Sequence, residues 1–328
     1  MELVISDHSV GEGHPCFIAA EIGINHNGDP QLSHELIDAA ADAGVDGVKF
    51  QHYHTEDFLT DKSLMYTYTS EGKQVEESQY DMFKRYEVTK EFLAEMKQHC
   101  DERNIIFHCT PTSKECIQDL VDIGTPLLKN PSDQLNHLPI IKTMGETKLP
   151  VIISTGMGTL EEIEEAVSCF RATGNDQLIV LHCTSTYPTP PEDVRLSRLP
   201  LLAEKLDCLV GLSDHTEGIT AALGAVALGA CWIEKHFTLA RVLPGPDHSF
   251  SSTPEEMKAL VDGVRILEKQ LANTEMGPAG SEEKSRREFR FSCTAAQDLK
   301  SGHLLTESDL AYQRPGTGIP PSEADKLI

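Results

Sequence analysis

LVGLSDHTEGITAALGAVALGACWIEKHFT (Leu209–Thr238) holds two apolar runs, each ending abruptly in polar residues that include a histidine. His215 follows Leu209-Val210-Gly211-Leu212, and His236 follows Cys231-Trp232-Ile233. Between them, Ile219–Leu228 is long enough for one short helix. The pattern predicts strand, helix, strand, with a histidine at the C-terminal tip of each strand. Neighbouring parallel strands lie about 4.8 Å apart, so two imidazoles at equivalent positions can converge on one ion. A single histidine there would more often only cap its strand; the pair points to a metal.

The same alternation runs outward from this segment. Strands are expected at Phe17–Ile24, Gly47–Phe50, Ile105–Cys109, Leu127–Lys129, Val151–Ser154, Leu178–His182, Leu209–Ser213 and Cys231–Lys235. Helices are expected at Leu32–Ala43, Lys90–Arg103, Ser113–Ile123, Leu138–Met144, Leu160–Ala172, Leu196–Leu206, Ile219–Leu228 and Pro254–Ala272. Eight β-then-α units in about 255 residues match a (β/α)8 TIM barrel. An open doubly wound sheet is the alternative, but no GxGxxG follows the first strand. Thr159 with Glu162 three residues on has capping-box spacing, and Thr253-Pro254-Glu255-Glu256 supplies a cap, a first-turn proline and first-turn acids. Residues 17–272 therefore form the barrel, and Met1–Cys16 an N-terminal hairpin that plugs its bottom. A polar linker with Gly and Pro spans 273–285, and 286–328 reads as a small domain of short strands and turns. Only the connection from Gln51 to about Val88 is long, which on a barrel's active face marks a lid, a functional loop or packing decoration.

Composition narrows the class of function. The 328 residues are 39% hydrophobic and 24% charged, as in ordinary globular proteins. A formal net charge of −24 argues against nucleic acid or an anionic membrane as partner. No apolar run approaches the roughly 20 residues that span a bilayer. MELVISDHSVGEGHPC lacks the basic and apolar regions of a signal peptide. Nine scattered cysteines without CxxC spacing suggest reduced thiols, hence a cytoplasmic protein.

Barrel enzymes place their chemistry at the C-terminal ends of strands. In order, those ends carry Glu21, Asn25 and His26; Lys49 and Gln51; Thr110; Lys129 and Ser132; Ser154; Ser185 and Tyr187; Ser213, Asp214 and His215; Glu234 and His236. Lysine is costly to bury without an anion, so Lys49 and Lys129 point to an anionic ligand or to a buried ion pair. The hydroxyls suit phosphate or carboxylate oxygens. Two histidines without cysteine, completed by water and substrate oxygens, suit Mn2+ better than structural zinc, with Mg2+ the second choice. Such an ion polarises a carbonyl as a Lewis acid.

IAAEIGINHNGD (Ile18–Asp29), AGVDGVKFQ (Ala43–Gln51), STGMGTLEEIEEA (Ser154–Ala166), LHCTSTYPTPPEDVRL (Leu181–Leu196), GLSDHTEG, GACWIEKHFTL and LPGPDHSFS (Leu243–Ser251) together resemble the N-acetylneuraminate (sialic acid) synthase family. That family also holds legionaminic and pseudaminic acid synthases and a spore-coat polysaccharide protein. The tail, with RPGTGI (Arg314–Ile319), resembles the antifreeze-like SAF domain that closes these enzymes, although Ile328 comes before that domain's usual end. The resemblance implies condensation of phosphoenolpyruvate with an N-acetylated mannose-type sugar, giving a nine-carbon 2-keto acid and phosphate. It implies metal ligation by His215 and His236, and a phosphoenolpyruvate pocket of Lys49, Thr110, Lys129, Ser132, Ser154, Ser185 and Ser213. It places Glu21, Gln51, Tyr187 and Asp247 on the sugar side, with Glu21 the acid/base candidate. It also implies a domain-swapped homodimer in which Arg314 reaches the partner's site.

The chain departs from the family at Lys129-Asn130-Pro131-Ser132-Asp133-Gln134. Gln134 stands where the family carries an acid, and Asp133 beside it can supply the carboxylate. Thr112-Ser113 replaces the usual Phe-Asp. A Schiff-base pyruvate aldolase using Lys49 or Lys129, and a degenerate non-catalytic module, stay open as alternatives. The second connection has no tryptophan, which weighs against the pseudaminic branch and leaves sialic and legionaminic precursors, discriminated by the loop Lys62–Tyr86.

Overall fold

The computed structural model describes residues 1–328, which divide into two compact units, Met1–Ala272 and Asn273–Ile328. In the first, eight parallel strands close into a barrel in chain order. They are β1 (Phe17–Gly23), β2 (Gly47–His52), β3 (Ile106–Pro111), β4 (Leu128–Asn130), β5 (Val151–Ser154), β6 (Leu178–Cys183), β7 (Leu209–Asp214) and β8 (Trp232–His236). The helices are α1 (Pro30–Ala43), α2 (Lys90–Glu102), α3 (Lys114–Asp122), α4 (Leu138–Glu146), α5 (Leu160–Arg171), α6 (Arg198–Leu206), α7 (Thr220–Ala227) and α8 (Pro254–Leu271). Several strands run one or two residues past the apolar runs that announce them. The ladder carries on through polar pairs such as Gln51↔Thr110 and Glu21↔His236. Both expected capping boxes form, at Thr159/Glu162 and Thr253/Glu256.

Successive side chains of a strand point to opposite faces. The outward set, including Ile18, Val48, Phe107, Val180 and Ile233, packs with helix residues such as Leu36, Leu93 and Phe170 in the main core. The inward set is apolar only at the lower end. There Phe17, Ile106, Ile152, Leu181 and Trp232 meet Leu3, Ile5 and Val10 of the antiparallel hairpin Glu2–Ile5/His8–Gly11. Phe17 stacks on Trp232 with centroids 3.9 Å apart, and burying a side chain of its size contributes roughly 1.5–3 kcal/mol. One repeat further up, the inward positions turn polar: Ala19 gives way to Glu21, Gly47 to Lys49, Gly211 to Ser213, and Trp232 to Glu234 and then His236. The barrel is therefore sealed below and polar above.

The connection after β2 is structured. It holds a short helix (Thr55–Phe58), an antiparallel hairpin (Met65–Ser70/Lys73–Ser78) and a second helix (Gln79–Tyr86). Their apolar faces gather Tyr53, Met82 and Tyr86 around Ile24 from the end of β1, with Tyr66, Tyr68 and Phe83 packed alongside. The Gly245 N–H donates to Ser70 Oγ at 3.1 Å, which pins the hairpin tip to the loop after β8. In the second unit, a helix (Glu283–Phe289) precedes one antiparallel pair, Ser292–Ala295 with Leu310–Gln313, and a 3-10 segment (Pro321–Lys326). That helix starts inside the stretch whose composition suggested a linker. The Glu282 carboxylate accepts from Ala279 N–H and caps its approach, while Arg286 and Arg287 suit its C-terminal end. No helix is long and apolar enough to cross a membrane.

At Gly211, β7 packs closely against β8. A Cβ there would lie 2.7 Å from Leu181 and from Trp232 Cβ, and would strike the Trp232 carbonyl. A backbone carbonyl cannot swing aside, so Gly211→Ala should lower the unfolding free energy by about 1–3 kcal/mol. Urea denaturation measures this; an unchanged midpoint would show that β7 shifts freely.

Candidate active site

A cavity of about 360 Å³ opens at the C-terminal mouth of the barrel. Its floor is a buried charge cluster. Glu234, inward-facing on β8, accepts at one oxygen from Lys129 (2.7 Å), Lys49 (3.1 Å) and Ser213 (3.1 Å). Lys49 also lies 3.3 Å from Glu21, whose other oxygen accepts from Gln51 Nε2 at 3.2 Å. All four charged side chains are at most 5% exposed. Neither lysine is therefore buried without a carboxyl partner. Burial disfavours a charged Glu234, but Lys129 and Lys49 override it and hold its carboxyl far below the usual range. Glu21 goes the other way. Burial pushes it up to about 7, with Lys49 opposing and Glu234 adding like-charge repulsion.

Above the floor the hydroxyls converge. The buried Thr110 Oγ1 and Ser154 Oγ have no protein partner. Ser132 Oγ accepts from the Gly156 N–H at 3.0 Å. A Cβ on Gly156 would lie 2.8 Å from Ser132 Oγ and collide with the Ser185 hydroxyl. The missing side chain at position 156 is thus what lets these two serines face the cavity. Orphaned buried hydroxyls are rare in proteins, because each costs free energy unless a ligand or water satisfies it.

His215 directly follows β7 and His236 ends β8, with ring centroids 5.4 Å apart. His215 Nδ1 lies 2.9 Å from the Thr184 carbonyl, which assigns its proton there and leaves Nε2 as a lone pair. His236 Nδ1 is buried without a hydrogen-bond partner, 3.8 Å from Asp247 Oδ2. Tyr187 packs against both rings, at 4.2 and 5.7 Å, and Phe250 lies 5.1 Å from His236. Burial pushes Asp247 up to about 6, with His215 opposing. No group of three or more His, Cys, Asp or Glu side chains forms a complete metal cage. The donor set is two imidazoles beside open space, which fits an ion that takes its other ligands from water and substrate.

Most of the residues singled out in the sequence line this one cavity, Asp133 at its rim included. Gln134 does not: it is buried and turned outward, its amide donating to the Thr112 carbonyl at 3.2 Å. Arg314 belongs to the second unit, where its guanidinium lies over Phe289 and Phe291 at 5.2 and 5.6 Å. Three of the strand-end residues serve the scaffold. Asn25 donates to the Phe237 carbonyl, Asp214 pairs with Lys235 at 2.8 Å, and His26 accepts from the Gly28 N–H. Two contributors carried no assigned role. Glu234 stood at a strand end, and two inward lysines with no assigned counter-charge were the signal that could have found it. Cys183 lines the cavity with its sulfur 4.0 Å from His215 Nδ1.

Comparisons with known proteins agree on one family. The model described as the NeuB family matches residues 36–276. The chain is 40% identical over 318 residues to an uncharacterized protein of Methanocaldococcus jannaschii, covering 97% of this chain and 90% of that one. It is 39% identical over 322 residues to the N,N'-diacetyllegionaminic acid synthase of Legionella pneumophila, again covering 97% and 90%. Among solved structures, the N-acetylneuraminic acid synthetase of Leptospira borgpetersenii in complex with citrate superposes with a TM-score of 0.79 at 33% identity, covering 87% of this chain and 95% of that one.

The Glu21 shift gives stability a defined pH dependence. Below its ordinary value of 4.5 the carboxyl is protonated whether folded or unfolded, and no penalty arises. Between 4.5 and about 7 the native state keeps a proton that the unfolded chain has released, so stability falls as pH rises. Glu21→Gln removes this loss. The variant should gain about 2–3 kcal/mol relative to the parent protein between pH 4.5 and 8. Urea titrations at the two pH values test it, and a constant difference would refute the assignment.

Proposed function

This chain belongs to the NeuB family, and on that footing we propose that it condenses phosphoenolpyruvate with the open-chain aldehyde of an N-acetylated mannose-type sugar. The products are phosphate and a nonulosonic acid of the sialic or legionaminic type. The observation that carries this is the juxtaposition, in one cavity, of partnerless buried hydroxyls over a lysine pair with two converging imidazoles. One half suits an enol phosphate and the other an aldehyde. Relatives named as nonulosonic acid synthases support the product class.

His215 and His236 would hold a divalent ion, Mn2+ by the chemistry of the donors, which supplies Lewis-acid activation of the sugar carbonyl. The protein's own groups do the rest. Lys49 and Lys129 bind the phosphate and carboxylate oxygens, while Thr110, Ser132, Ser154, Ser185 and Ser213 orient them. C3 of phosphoenolpyruvate forms the new bond to the aldehyde carbon. Glu21, protonated near neutral pH, delivers a proton to the aldehyde oxygen as its negative charge develops. Water then adds at C2 and gives its proton back to Glu21, and phosphate leaves by C–O cleavage. Asp247 accepts from a sugar hydroxyl near the aldehyde.

The floor weighs against Lys49 as the amine of a Schiff-base aldolase, which needs a neutral lysine. Burial opposes the charge on Lys49, yet Glu21 and Glu234 hold it as ammonium. At Lys129 burial outweighs Glu234, 2.7 Å away, and with the Lys49 charge lowers the ammonium's pKa, so borohydride trapping decides for that residue.

With phosphoenolpyruvate, Mn2+ and N-acetylmannosamine or its diacetamido relatives, the protein should release phosphate in step with a keto acid identified by mass spectrometry. His215→Ala and His236→Ala should each lose at least ~100-fold in turnover, as expected when several kcal/mol of charge stabilisation are removed. Full activity in either variant would sink the metal assignment. Borohydride trapping of pyruvate on a lysine, without phosphate release, would replace the condensation with aldolase chemistry.

A further inference from the structure

The two histidines that face the cavity are flanked by a buried ion pair that faces away from it. Asp214 precedes His215, Lys235 precedes His236, and the two are register partners on β7 and β8. Successive side chains of a strand alternate, so this pair lies on the outer side of the barrel. The outward residues one repeat below, Leu212 and Ile233, belong to the apolar core. Lys235 is 3% exposed and Asp214 2%. The ammonium donates to Asp214 Oδ2 at 2.8 Å and to the Thr216 carbonyl at 2.6 Å. The other Asp214 oxygen accepts from the Thr216 N–H at 2.9 Å and from its hydroxyl at 2.8 Å. Lys235 thus grips the residue on each side of His215, while its own chain neighbour is His236.

Two aliphatic side chains would fill these positions without the cost of desolvating two ions. What they would lack is direction. The Thr184 carbonyl orients the His215 ring, and the Thr189 N–H holds the His215 carbonyl at 2.8 Å. Neither contact reaches β8. The bonds from Lys235 do, and they act at the level of the histidines themselves. Resting on the metal assignment above, we propose that Lys235 is a positioning residue. Its bonds to Asp214 and Thr216 set the separation of His215 and His236, and through it the affinity of the site for a divalent ion. Removing a group that holds a metal-binding side chain in place typically costs ~10–100-fold in affinity.

Mn2+ titration of the metal-free whole chain, followed by the electron paramagnetic resonance signal of free Mn2+, reads affinity without turnover. His215→Ala defines the loss when the site itself is destroyed. Lys235→Met should weaken binding at least ~10-fold in protein that is folded by circular dichroism. This substitution leaves Asp214 buried without its counter-charge, which endangers folding. Lys235→Met combined with Asp214→Asn removes both charges and keeps an acceptor for the Thr216 N–H. It should fold and show the same loss, because the bond from Lys235 to the Thr216 carbonyl is still missing. If the single variant does not fold, the double variant decides. A folded variant of either kind that keeps the parent affinity overturns the proposal and leaves the metal assignment standing, with Lys235 a strand-to-strand brace and no more. A parent protein that binds Mn2+ no more tightly than His215→Ala overturns the metal assignment itself, and this proposal with it.

Discussion

Glu234 ties together two lysines from the strands on either side of β3, Lys49 on β2 and Lys129 on β4, through a single oxygen. Neither lysine could be buried alone, since the desolvation cost of an isolated ammonium is several kcal/mol. Neither could the glutamate. Each charge is tolerated because the others are fixed within hydrogen-bonding distance, and what fixes them is the register of the barrel strands. Ser213 pairs with Glu234 in that register and contributes the third donor. Glu234 keeps its second oxygen, buried, without a hydrogen-bond partner. An anion approaching the mouth meets lysines already desolvated and aimed, without the cost of ordering long flexible side chains on arrival.

The barrel makes this arrangement possible through the two-residue period of its strands. The same faces that bury Phe17, Ile106 and Trp232 at the bottom carry Glu21, His108, Thr110 and Glu234 higher up. Sealing the lower end with Leu3, Ile5 and Val10 removes the route by which water would reach the charges from below. The upper end is left for a ligand to fill. The same logic explains why the buried Thr110 and Ser154 hydroxyls lack partners: a floor built for the unliganded state alone would not leave them so.

The repeat of apolar run and helix was legible throughout the barrel because parallel strands buried on both faces read as continuous apolar segments. Strand ends were less so. Gln51, Thr110 and His236 belong to the ladder although they are polar, since the hydrogen-bonded register, not side-chain hydropathy, decides where a strand stops. The histidine pair, the lysines and the serines were legible by position. The partner of the lysines was not, because an inward glutamate on β8 looks the same in sequence as the structural Asp214 on β7, and only the closed topology tells them apart. Gln134 illustrates the reverse case. It sits in the expected segment, but the 3-10 turn at Ser132–Gln134 sends Asp133 to the rim and Gln134 toward Thr112. Three residues per turn separate neighbours by about 120°, so adjacent side chains cannot share one wall.

The connection after β2 was visible only as an interruption of the repeat. The first strand of its hairpin alternates exposed and half-buried residues, and neither pattern nor composition says where the half-buried face lands. That face lands on Ile24, which immediately follows β1, so the insert closes over the mouth from one side and is held on the other by the loop carrying Asp247. A barrel floor drawn from eight strands can change little without disturbing its register. A wall drawn from one insert can change residue by residue while the charges below stay in place. The charged floor and the carbon surface hung above it are therefore separable parts of the chain: the first fixed by Glu234 and what it holds, the second by the insert after β2.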